Sequence, residues 1–421
     1  MKNNSIIVSV TIGFNYLKIN ASQTIENHSI CLFSQKQEFN ALETAQNFIK
    51  DSLATIEKKT MTKVEQINLI FDDFSLKNLE IKNKVLDKTF VNFKNNSITL
   101  DESTYLEFQN SIKRDVMEDP NYQSKKLITL MPLKFNVKDD DKNINESFTD
   151  FPLGKQVSKI SCSFSATFIA NDLYQKIMAL FAKTDVKFNQ TLVASQLSFY
   201  KFNGSVSDKL TFTLDIENHR SLLITTINKV VIARDELKFS YNDLVEKVSK
   251  SHNISLEIAH NLIQNYGFIY SANNDDPNDV IYLNQEDCSI TKKGLQSLIK
   301  SFLKTLSIEA REIISLKSNH NEIDFDVNML GKLENISNID DYCGKYLHVK
   351  SIINSGKHAN NFNSWNPAYQ DHNALIKLAK VINNKIQPIY HIQQTALIQS
   401  KKTISFKMNK KRVQNNSVAL A

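Results

Sequence analysis

The sequence has few of the residues on which phosphate loops and metal or redox motifs depend. Of its 421 residues, 8 are glycine, 6 are proline and 4 are cysteine. Phosphate-binding loops use glycine because a missing side chain lets backbone amides approach the anion, so few such loops are available here. Cys31, Cys162, Cys288 and Cys343 lack the short spacing of zinc or redox motifs. Reduced, structural thiols are the simplest interpretation.

Long apolar runs, clustered histidines and a signal-peptide pattern are also missing. The longest runs, such as residues 230–233, are far shorter than the roughly 20 residues that cross a bilayer. The nine histidines form none of the spacings typical of metal sites, so no metal is predicted. The first residues, MKNNSIIVSV, lead directly into a predicted strand. We therefore expect a cytoplasmic protein.

Positive charge is concentrated near the C-terminal end. The sequence has 51 Lys and Arg residues against 45 Asp and Glu, and residues 389–421 contain six basic residues and no acidic one. This leaves 45 of each sign in residues 1–388, and a neutral body argues against a nucleic-acid-binding fold. The tail fits either an anionic membrane surface or a solvated, disordered terminus. The candidate membrane residues are Lys401, Lys402, Ile404, Phe406, Lys407, Lys410, Lys411 and Arg412.

Two segments roughly 200 residues apart contain the same succession of predicted elements. In each, three short alternating strands joined by polar turns precede an amphipathic helix. The predicted elements are 5–12, 16–21, 29–33 and 39–58 in the first segment, and 210–216, 221–226, 230–233 and 240–250 in the second. The repeat indicates either an internal duplication or a coincidence of two common meanders. A duplication would give the two-lobed plan of actin and hexokinase, in which the first turn of each lobe faces one cleft.

Further helices and strands are predicted around these two units. Helical periodicity occurs at residues 101–114, 167–183, 254–266, 291–316 and 367–383. Strand patterns occur at residues 66–71, 127–137, 159–166 and 346–353. A polar linker at residues 203–205 is the predicted boundary between two lobes.

Four short segments, in a fixed order along the chain, resemble one family. They are 127–154, a strand with a central proline leading to a Pro-Leu-Gly turn; 211–225, a hairpin at the family's second phosphate loop; 256–267, a helix ending on a glycine; and 366–369, Asn-Pro-Ala-Tyr before a helix. Their order and spacing are similar to those of FtsA, the divergent actin homologue that links the FtsZ ring to the bacterial membrane. The resemblance covers roughly residues 5–388.

The resemblance implies an α/β, actin-like, two-lobe fold of the duplicated ribonuclease-H type, with an FtsA-type inserted subdomain. The implied divisions are subdomain IA at 1–80 plus 174–202, IC at 81–173, IIA at 203–236 plus 301–388, IIB at 237–300 and a basic tail at 389–421. The family's properties imply binding to the FtsZ C-terminal peptide, self-assembly into filaments, and attachment to the inner face of the cell membrane at the division site.

The resemblance also places a nucleotide site, and the residues there depart from the family's pattern. The positions are Thr11, Gly13, Phe14, Asn15, Asp215, Glu217, Asn218, His219 and Gly331. Thr11 replaces the acid that orders Mg²⁺, and Glu217, Asn218 and His219 replace three phosphate-loop glycines. The ribose-binding helix has His260 and Ile263, and the adenosine loop, aligned at residues 326–333, keeps one glycine. We expect no ATP hydrolysis, and either no cofactor or weakly bound ATP and Mg²⁺.

Basic residues near the start of a long predicted helix are candidates for FtsZ contact. They are Lys292, Lys293, Lys300 and Lys304. Such a patch would attract an acidic, apolar peptide, although a solvated helix face has the same pattern. The leading hypothesis is therefore a structural adaptor. The alternatives are an actin-fold ATPase or small-molecule kinase with atypical phosphate loops, and a chaperone-like ATPase, for which residues after 388 are too few to form a substrate domain.

Overall fold

The structure is a computed structural model, and it describes most of the chain up to residue 354 and a few later residues. The described residues are 6–25, 28–76, 79–86, 98–139, 144–201, 210–267, 278–283, 289–318, 325–334, 336, 338–349, 352–354, 372, 374–377 and 390–391. Residues 203–205 and 366–369 and the candidate membrane residues 401–412 lie outside this part. None of the helices in the described part is both long enough and apolar enough to span a bilayer.

The described chain forms the following strands and helices, numbered in chain order. The strands are β1 (Ile6–Ile12), β2 (Tyr16–Ile25), β3 (His28–Glu38), β4 (Gln66–Phe71), β5 (Leu79–Leu86), β6 (Ile98–Thr99), β7 (Lys125–Asp139), β8 (Ile144–Phe148), β9 (Gln156–Val157), β10 (Lys159–Ala170), β11 (Lys187–Val193), β12 (Leu210–Ile216), β13 (Ser221–Ile227), β14 (Val230–Leu237), β15 (Val280–Leu283), β16 (Ser289–Thr291), β17 (Phe325–Gly331), β18 (Ile352–Asn354) and β19 (Tyr390–His391). The helices are α1 (Leu42–Thr60), α2 (Glu102–Glu118), α3 (Asn171–Leu180), α4 (Ser198–Lys201), α5 (Tyr241–His252), α6 (Leu256–Tyr266), α7 (Lys292–Lys317) and α8 (Ile339–Leu347).

Two sheets have the same strand order and the same directions, which confirms the predicted duplication. The first sheet runs β3-β2-β1-β4-β11 and the second runs β14-β13-β12-β17-β18. In each, three antiparallel strands form a meander, and two parallel strands extend it on the side of the first strand. Asn228 and Lys229 join β13 to β14 with positive φ angles of 49° and 68°, as a two-residue hairpin turn requires.

Each lobe packs helices against one face of its sheet. In the first lobe, Ile49, Leu53 and Ile56 of α1 are buried at helical spacing against the sheet. In the second lobe, α5, α6, α7 and α8 contribute to one apolar core with β12 and β17. Helix α5 begins with a capping box between Ser240 and Asp243, so its first backbone amides are satisfied.

A third sheet is formed by strands that lie between β4 and α3 in the chain, and β19 joins its edge from near the end of the described residues. It has the order β19-β7-β10-β5, with β8 paired to β7, and α2 packs on it through aromatic and aliphatic side chains. Strand β7 is continuous through Pro132, where its pairing with β10 shifts register by one residue. A proline has no amide to donate, so such a shift is the usual way to place it inside a strand.

The bounds of two predicted elements are wrong because tertiary pairing and burial decide the local structure. A helix was expected over residues 167–183, and α3 occupies only Asn171–Leu180. Residues 167–170 extend β10 instead, where 167–169 pair with both β5 and β7 and Ala170 pairs with β7. A strand was expected over residues 346–353, but α8 continues to Leu347 and only Ile352–Asn354 is a strand. Ile339, Cys343 and Leu347 recur every four residues in α8 and are buried, which is a helical pattern.

The two lobes and the inserted sheet share one apolar cluster, here called the interlobe cluster. It contains Ile70, Phe74, Met131, Leu192, Ala194, Leu197, Leu222, Ile224, Val231, Ala374 and Leu375. Two hydrogen bonds at 2.6 Å join β14 and its turn to the inserted sheet: Ser165 Oγ donates to the carbonyl of Val231, and Asn228 Nδ2 donates to the carbonyl of Leu133. The lobes therefore form a continuous core at the base of the cleft.

A histidine from near the end of the described chain is fixed inside the first lobe. His372 is fully buried, with Nδ1 at 2.7 Å from Ser9 Oγ and Nε2 at 2.8 Å from Ser22 Oγ. Burial lowers the pKa of His372 to about 3, and nearby Lys18 adds to this effect. The imidazole is therefore neutral at physiological pH, and it joins the first two strands to the segment around residue 372.

Candidate functional site

A cavity lies between the lobes, and the first turn of each lobe lines it. It has a volume of about 1240 Å³, and its walls include Phe14 and Asn15 of the β1–β2 turn and Glu217, Asn218 and His219 of the β12–β13 turn. Both turns interrupt alternating strands whose apolar residues are committed to the two lobe cores. The duplication therefore brings the two predicted phosphate loops to one cleft.

Two backbone amides of the first turn donate hydrogen bonds inside the protein. Gly13 N donates to the carbonyl of Tyr16 at 2.9 Å, and Phe14 N donates to Ser75 Oγ at 3.0 Å. Gly13 does not line the cavity, and a Cβ at this position would come within 2.1 Å of the Tyr16 ring. The glycine is therefore required by the close Tyr16 ring. The Phe14 side chain is 77% exposed at the tip of the turn.

The second turn is hydrogen-bonded to the start of α5, the helix that follows β14. Glu217 N donates to the carbonyl of Arg220, and the amides of Tyr241 and Asn242 donate to the carbonyls of Glu217 and Asn218, all at 3.0 Å. The start of α5 thus supports this turn, while the Glu217 carboxylate belongs to the cavity wall. A carboxylate at this position repels phosphate.

Arg220 crosses the base of the cleft and is fully engaged. Its guanidinium makes a two-point ion pair with Glu236 of β14, with Nε at 2.8 Å from Oε1. Nη1 donates to the backbone carbonyl of Asp73 at 3.0 Å, in the loop that follows β4 of the first lobe. The Arg220 guanidinium therefore joins the two lobes directly by hydrogen bonds.

A buried ion pair forms a second bond between the lobes. Arg234 Nη1 of β14 lies 2.6 Å from Asp73 Oδ2, and the side chains are 10% and 0% exposed. Ser195 donates to Asp73 twice, from its backbone amide at 3.0 Å to Oδ1 and from its hydroxyl to Oδ2. Three donors thus satisfy one buried carboxylate, which is the condition under which such a charge is tolerated. The contacts that Asp73 makes with Arg234 and Ser195 are here called the Asp73 latch.

Like Gly13, the predicted nucleotide residues Thr11 and Asp215 do not line the cavity. Thr11 is 2% exposed within β1, and its hydroxyl has no hydrogen-bond partner among the described residues. Asp215 is fully buried in β12, and neither residue lines the cavity. The segment aligned with the adenosine loop, 326–333, is mostly strand β17, and Gly331 ends it with a φ of +94°. Gly331 does line the cavity, beside Lys332 and Glu334.

The predicted ribose-binding helix presents a different residue to the cleft. Ile263 is buried in the core of the second lobe. His260 Nδ1 lies 3.0 Å from the hydroxyl of buried Tyr241. Gln264 lines the cavity instead, and its amide also donates to Tyr241 at 3.0 Å. The helical spacing of buried Ala259, Leu262 and Ile263 would have shown that position 263 faces the core.

The cavity wall also carries charged residues that the sequence pattern did not indicate. The cations are Lys36, Lys176, Lys201, Arg220 and Lys332, and the acids are Glu38, Asp72, Asp172 and Glu334, in addition to the predicted Glu217. Several are engaged locally: the Tyr16 hydroxyl donates to Asp72, and Lys36 Nζ lies 4.3 Å from the centre of the Tyr16 ring. These residues come from six separate elements and loops, so only the fold brings them together. Within the described residues, no group of three or more His, Cys, Asp or Glu side chains converges on a metal position.

The candidate FtsZ-contact residues all lie on α7, in different environments. Lys292 forms an ion pair with Asp279 at 2.8 Å, which leaves its side chain 15% exposed. Lys293 is exposed at the next position. Lys300 Nζ donates to Gln296 Oε1 at 3.2 Å, and Lys304 Nζ lies 5.5 Å from the centre of the Tyr346 ring in α8.

Comparisons with known proteins relate the chain to others through structure alone. No family model matches the sequence, and no curated protein matches it significantly. A chain of the PilM-PilN type IV pilus biogenesis complex is similar, with a TM-score of 0.53 and 12% identity, over 88% of this chain and 98% of that chain. MreB5 of Spiroplasma citri bound to ADP has a TM-score of 0.43 and 10% identity, over 90% of this chain and 97% of that chain. The ethanolamine utilization protein EutJ from Carboxydothermus hydrogenoformans has a TM-score of 0.40 and 8% identity, over 83% of this chain and 84% of that chain.

The similarity to the PilM-PilN chain establishes the fold. The chain has the actin-like fold, with two duplicated lobes around a cleft and an extra sheet inserted in the first lobe. At 12% identity the similarity to the PilM-PilN chain extends to the fold and no further. A cleft of this kind also occurs in proteins with very different activities, so the function has to be argued from the residues of the site.

Proposed function

We propose that this protein is an actin-fold adaptor, which binds partner polypeptides and does not turn over ATP. This proposal rests on the backbone amides and side chains that the two turns present to the cleft. The first-turn amides of Gly13 and Phe14 donate within the protein, and the second turn places the Glu217 carboxylate in the wall. A triphosphate bound between the two turns would find these two amides already used and would face the Glu217 carboxylate. The two turns therefore do not form a phosphate-binding cradle.

The bonds between the lobes support the same proposal. In an actin-like ATPase, the nucleotide lies between the lobes and contacts both. Here Arg220 and the Asp73 latch join the lobes directly, and the interlobe cluster adds apolar contact below them. These contacts join the lobes through the protein itself, which suits a protein whose task is to hold partners in place.

The similarity to a chain of a two-protein complex is consistent with an adaptor. The PilM-PilN chain comes from a type IV pilus biogenesis complex, so the fold serves there as part of an assembly. The resemblance to FtsA suggests a more specific role in the present protein. We propose that it binds the C-terminal peptide of FtsZ, assembles into filaments with copies of itself, and attaches these filaments to the inner face of the cell membrane at the division site.

Nucleotide binding and turnover are the first test of this proposal. We expect titration calorimetry with ATP and Mg²⁺ to detect no binding below millimolar concentration, and phosphate release to stay at the level of buffer. Turnover at the usual enzyme rate of roughly 1 s⁻¹ or faster would overturn the proposal. It would favour the alternative, an actin-fold ATPase or small-molecule kinase, for which the cavity of about 1240 Å³ is large enough.

Partner binding is the second test. Fluorescence anisotropy with the C-terminal peptide of FtsZ from the same organism is expected to give micromolar affinity that weakens as salt rises. A scrambled peptide of the same composition is the control for charge alone. Equal affinity for both peptides, or no affinity for either, would reject FtsZ as the specific partner.

A further inference from the structure

Helix α7 carries an excess of positive charge, and among the described residues its ion pairs to other elements lie only at its two ends. The helix contains six cations and two carboxylates. At its N-terminus Lys292 pairs with Asp279, and at its C-terminus Lys317 pairs with Asp235. The other four cations have no carboxylate partner among the described residues. They are Lys293, Lys300, Lys304 and Arg311.

These four cations lie on one face of the helix. Their positions differ by 7, 4 and 7 residues, so at 100° per residue their side chains fall within roughly 40° of one another. The row, here called the α7 stripe, extends about 27 Å at 1.5 Å per residue. The two acids of the helix point elsewhere: Glu309 accepts a hydrogen bond from the Lys238 amide at 3.1 Å, and Glu312 follows Arg311 about 100° around the helix.

Contacts from α8 orient the stripe, and none of the three described next involves a carboxylate. Arg311 Nη1 donates to His348 Nε2 at 3.1 Å, and Lys304 Nζ lies 5.5 Å from the centre of the Tyr346 ring. The Tyr342 hydroxyl donates to the carbonyl of Lys300 at 3.0 Å, so α8 is fixed beside the stripe. Cations that are already oriented lose less conformational freedom when they bind an anion.

We propose that the α7 stripe, with α8 along one side, is a docking surface for an extended acidic peptide segment. An extended chain advances about 3.3 Å per residue, so about eight residues would cover the stripe. Carboxylates on alternate residues would then recur about every 6.6 Å on the side that faces α7. A single row of cations beside α8 suits a linear polyanion better than a flat bilayer. This inference rests on the proposed adaptor function and identifies the surface that holds the partner.

The proposed surface differs from the basic patch that the sequence indicated. Lys292 is excluded because Asp279 already neutralises it. Arg311 is added, although it lies seven residues beyond Lys304 and outside the start of the helix. The surface therefore extends from the β15–β16 hairpin end of α7 towards α8.

The test compares two charge-reversal variants of the full chain. Lys304→Glu with Arg311→Glu changes the stripe, and Lys58→Glu with Lys63→Glu makes the same change of net charge at exposed positions in and after α1. The probe is a labelled ten-residue peptide with glutamate at alternate positions, measured by anisotropy beside the FtsZ C-terminal peptide. We expect at least tenfold weaker binding for the stripe variant and less than twofold for the control. Lys304→Gln with Arg311→Gln is the milder substitute if reversal disturbs folding.

The other outcomes separate the inference from the function on which it rests. Equal weakening in both variants, or none in either, would reject the stripe and leave the adaptor role intact. No peptide binding by the unmodified chain would reject both. The last measurement is binding to vesicles that contain about 30% phosphatidylserine. If the stripe variant loses vesicle binding and keeps peptide binding, the stripe contacts lipid and the inference is wrong.

Discussion

The Asp73 latch gives the most demanding test of how the lobes are held together. Asp73→Ala removes a carboxylate that accepts from Arg234 and twice from Ser195, at a site with 0% exposure of the Asp73 side chain. The Arg234 cation would remain 10% exposed without its partner. Breaking one side of a buried ion pair costs roughly 3–5 kcal/mol. Since domains are stable by only about 5–15 kcal/mol, the loss is large.

The assay is urea unfolding at pH 7, followed by circular dichroism. The chain offers a matched control in Glu246, which forms an ion pair with Lys250 at 2.8 Å at an exposed i,i+4 position. Glu246→Ala is expected to cost no more than about 0.5 kcal/mol because solvent screens that pair. Replacing both Asp73 and Arg234, as Asp73→Ala with Arg234→Met, should recover part of the loss, because no unpartnered charge remains.

Two results would refute this reasoning. Asp73→Ala could lose no more stability than Glu246→Ala, in which case the ion pair does not join the lobes energetically. Alternatively, the double variant could be less stable than Asp73→Ala, which would mean that Arg234 contributes through packing and not through its charge. Either result would leave the apolar interlobe cluster as the main connection between the lobes.

Two further predictions concern His372 and the end of β17. Since the pKa of His372 is lowered to about 3, the unfolded chain binds more protons than the folded chain below pH 6.5, and stability falls as pH falls. Between pH 7 and pH 5 the loss is about 2 kcal/mol, and His372→Gln should flatten this slope in urea titrations; an unchanged slope contradicts the prediction. Gly331→Ala should cost well over 1 kcal/mol in thermal unfolding, because φ is +94° and the new Cβ would lie 2.2 Å from the Ile216 carbonyl oxygen. Gly154→Ala, with positive φ but no atom within 4 Å, should cost less, and equal costs would show that the contact relaxes.

The hairpin meanders could be predicted from the sequence because their signals are local. Alternating β-branched residues and short polar turns occur within 30 residues in each lobe, and the structure places strands at both sets. Residues 167–170 could not be assigned in the same way. Their sequence is compatible with the start of a helix, and only the pairing with β5 and β7 makes them a strand.

The position of the cleft was predictable, whereas the bonds that close it were not. The two turns were identified as facing turns from the internal repeat. Asp73, Ser195 and Arg234, by contrast, are separated by 122 and 161 residues along the chain, and no spacing rule relates them. Polar contacts of this kind depend on three-dimensional packing, so a single sequence gives no signal for them.

The interlobe cluster has a consequence for how this duplicated chain can be divided. Each lobe repeats the same strand order, yet each uses the other to cover apolar side chains: Ile70 and Leu192 on one side, Leu222 and Ile224 on the other. A fragment that ends before β12 would expose the first pair to water, and a fragment that starts there would expose the second. Apolar surface of that kind promotes association. The two halves therefore resemble each other but are not interchangeable modules, and they have to be produced and engineered together.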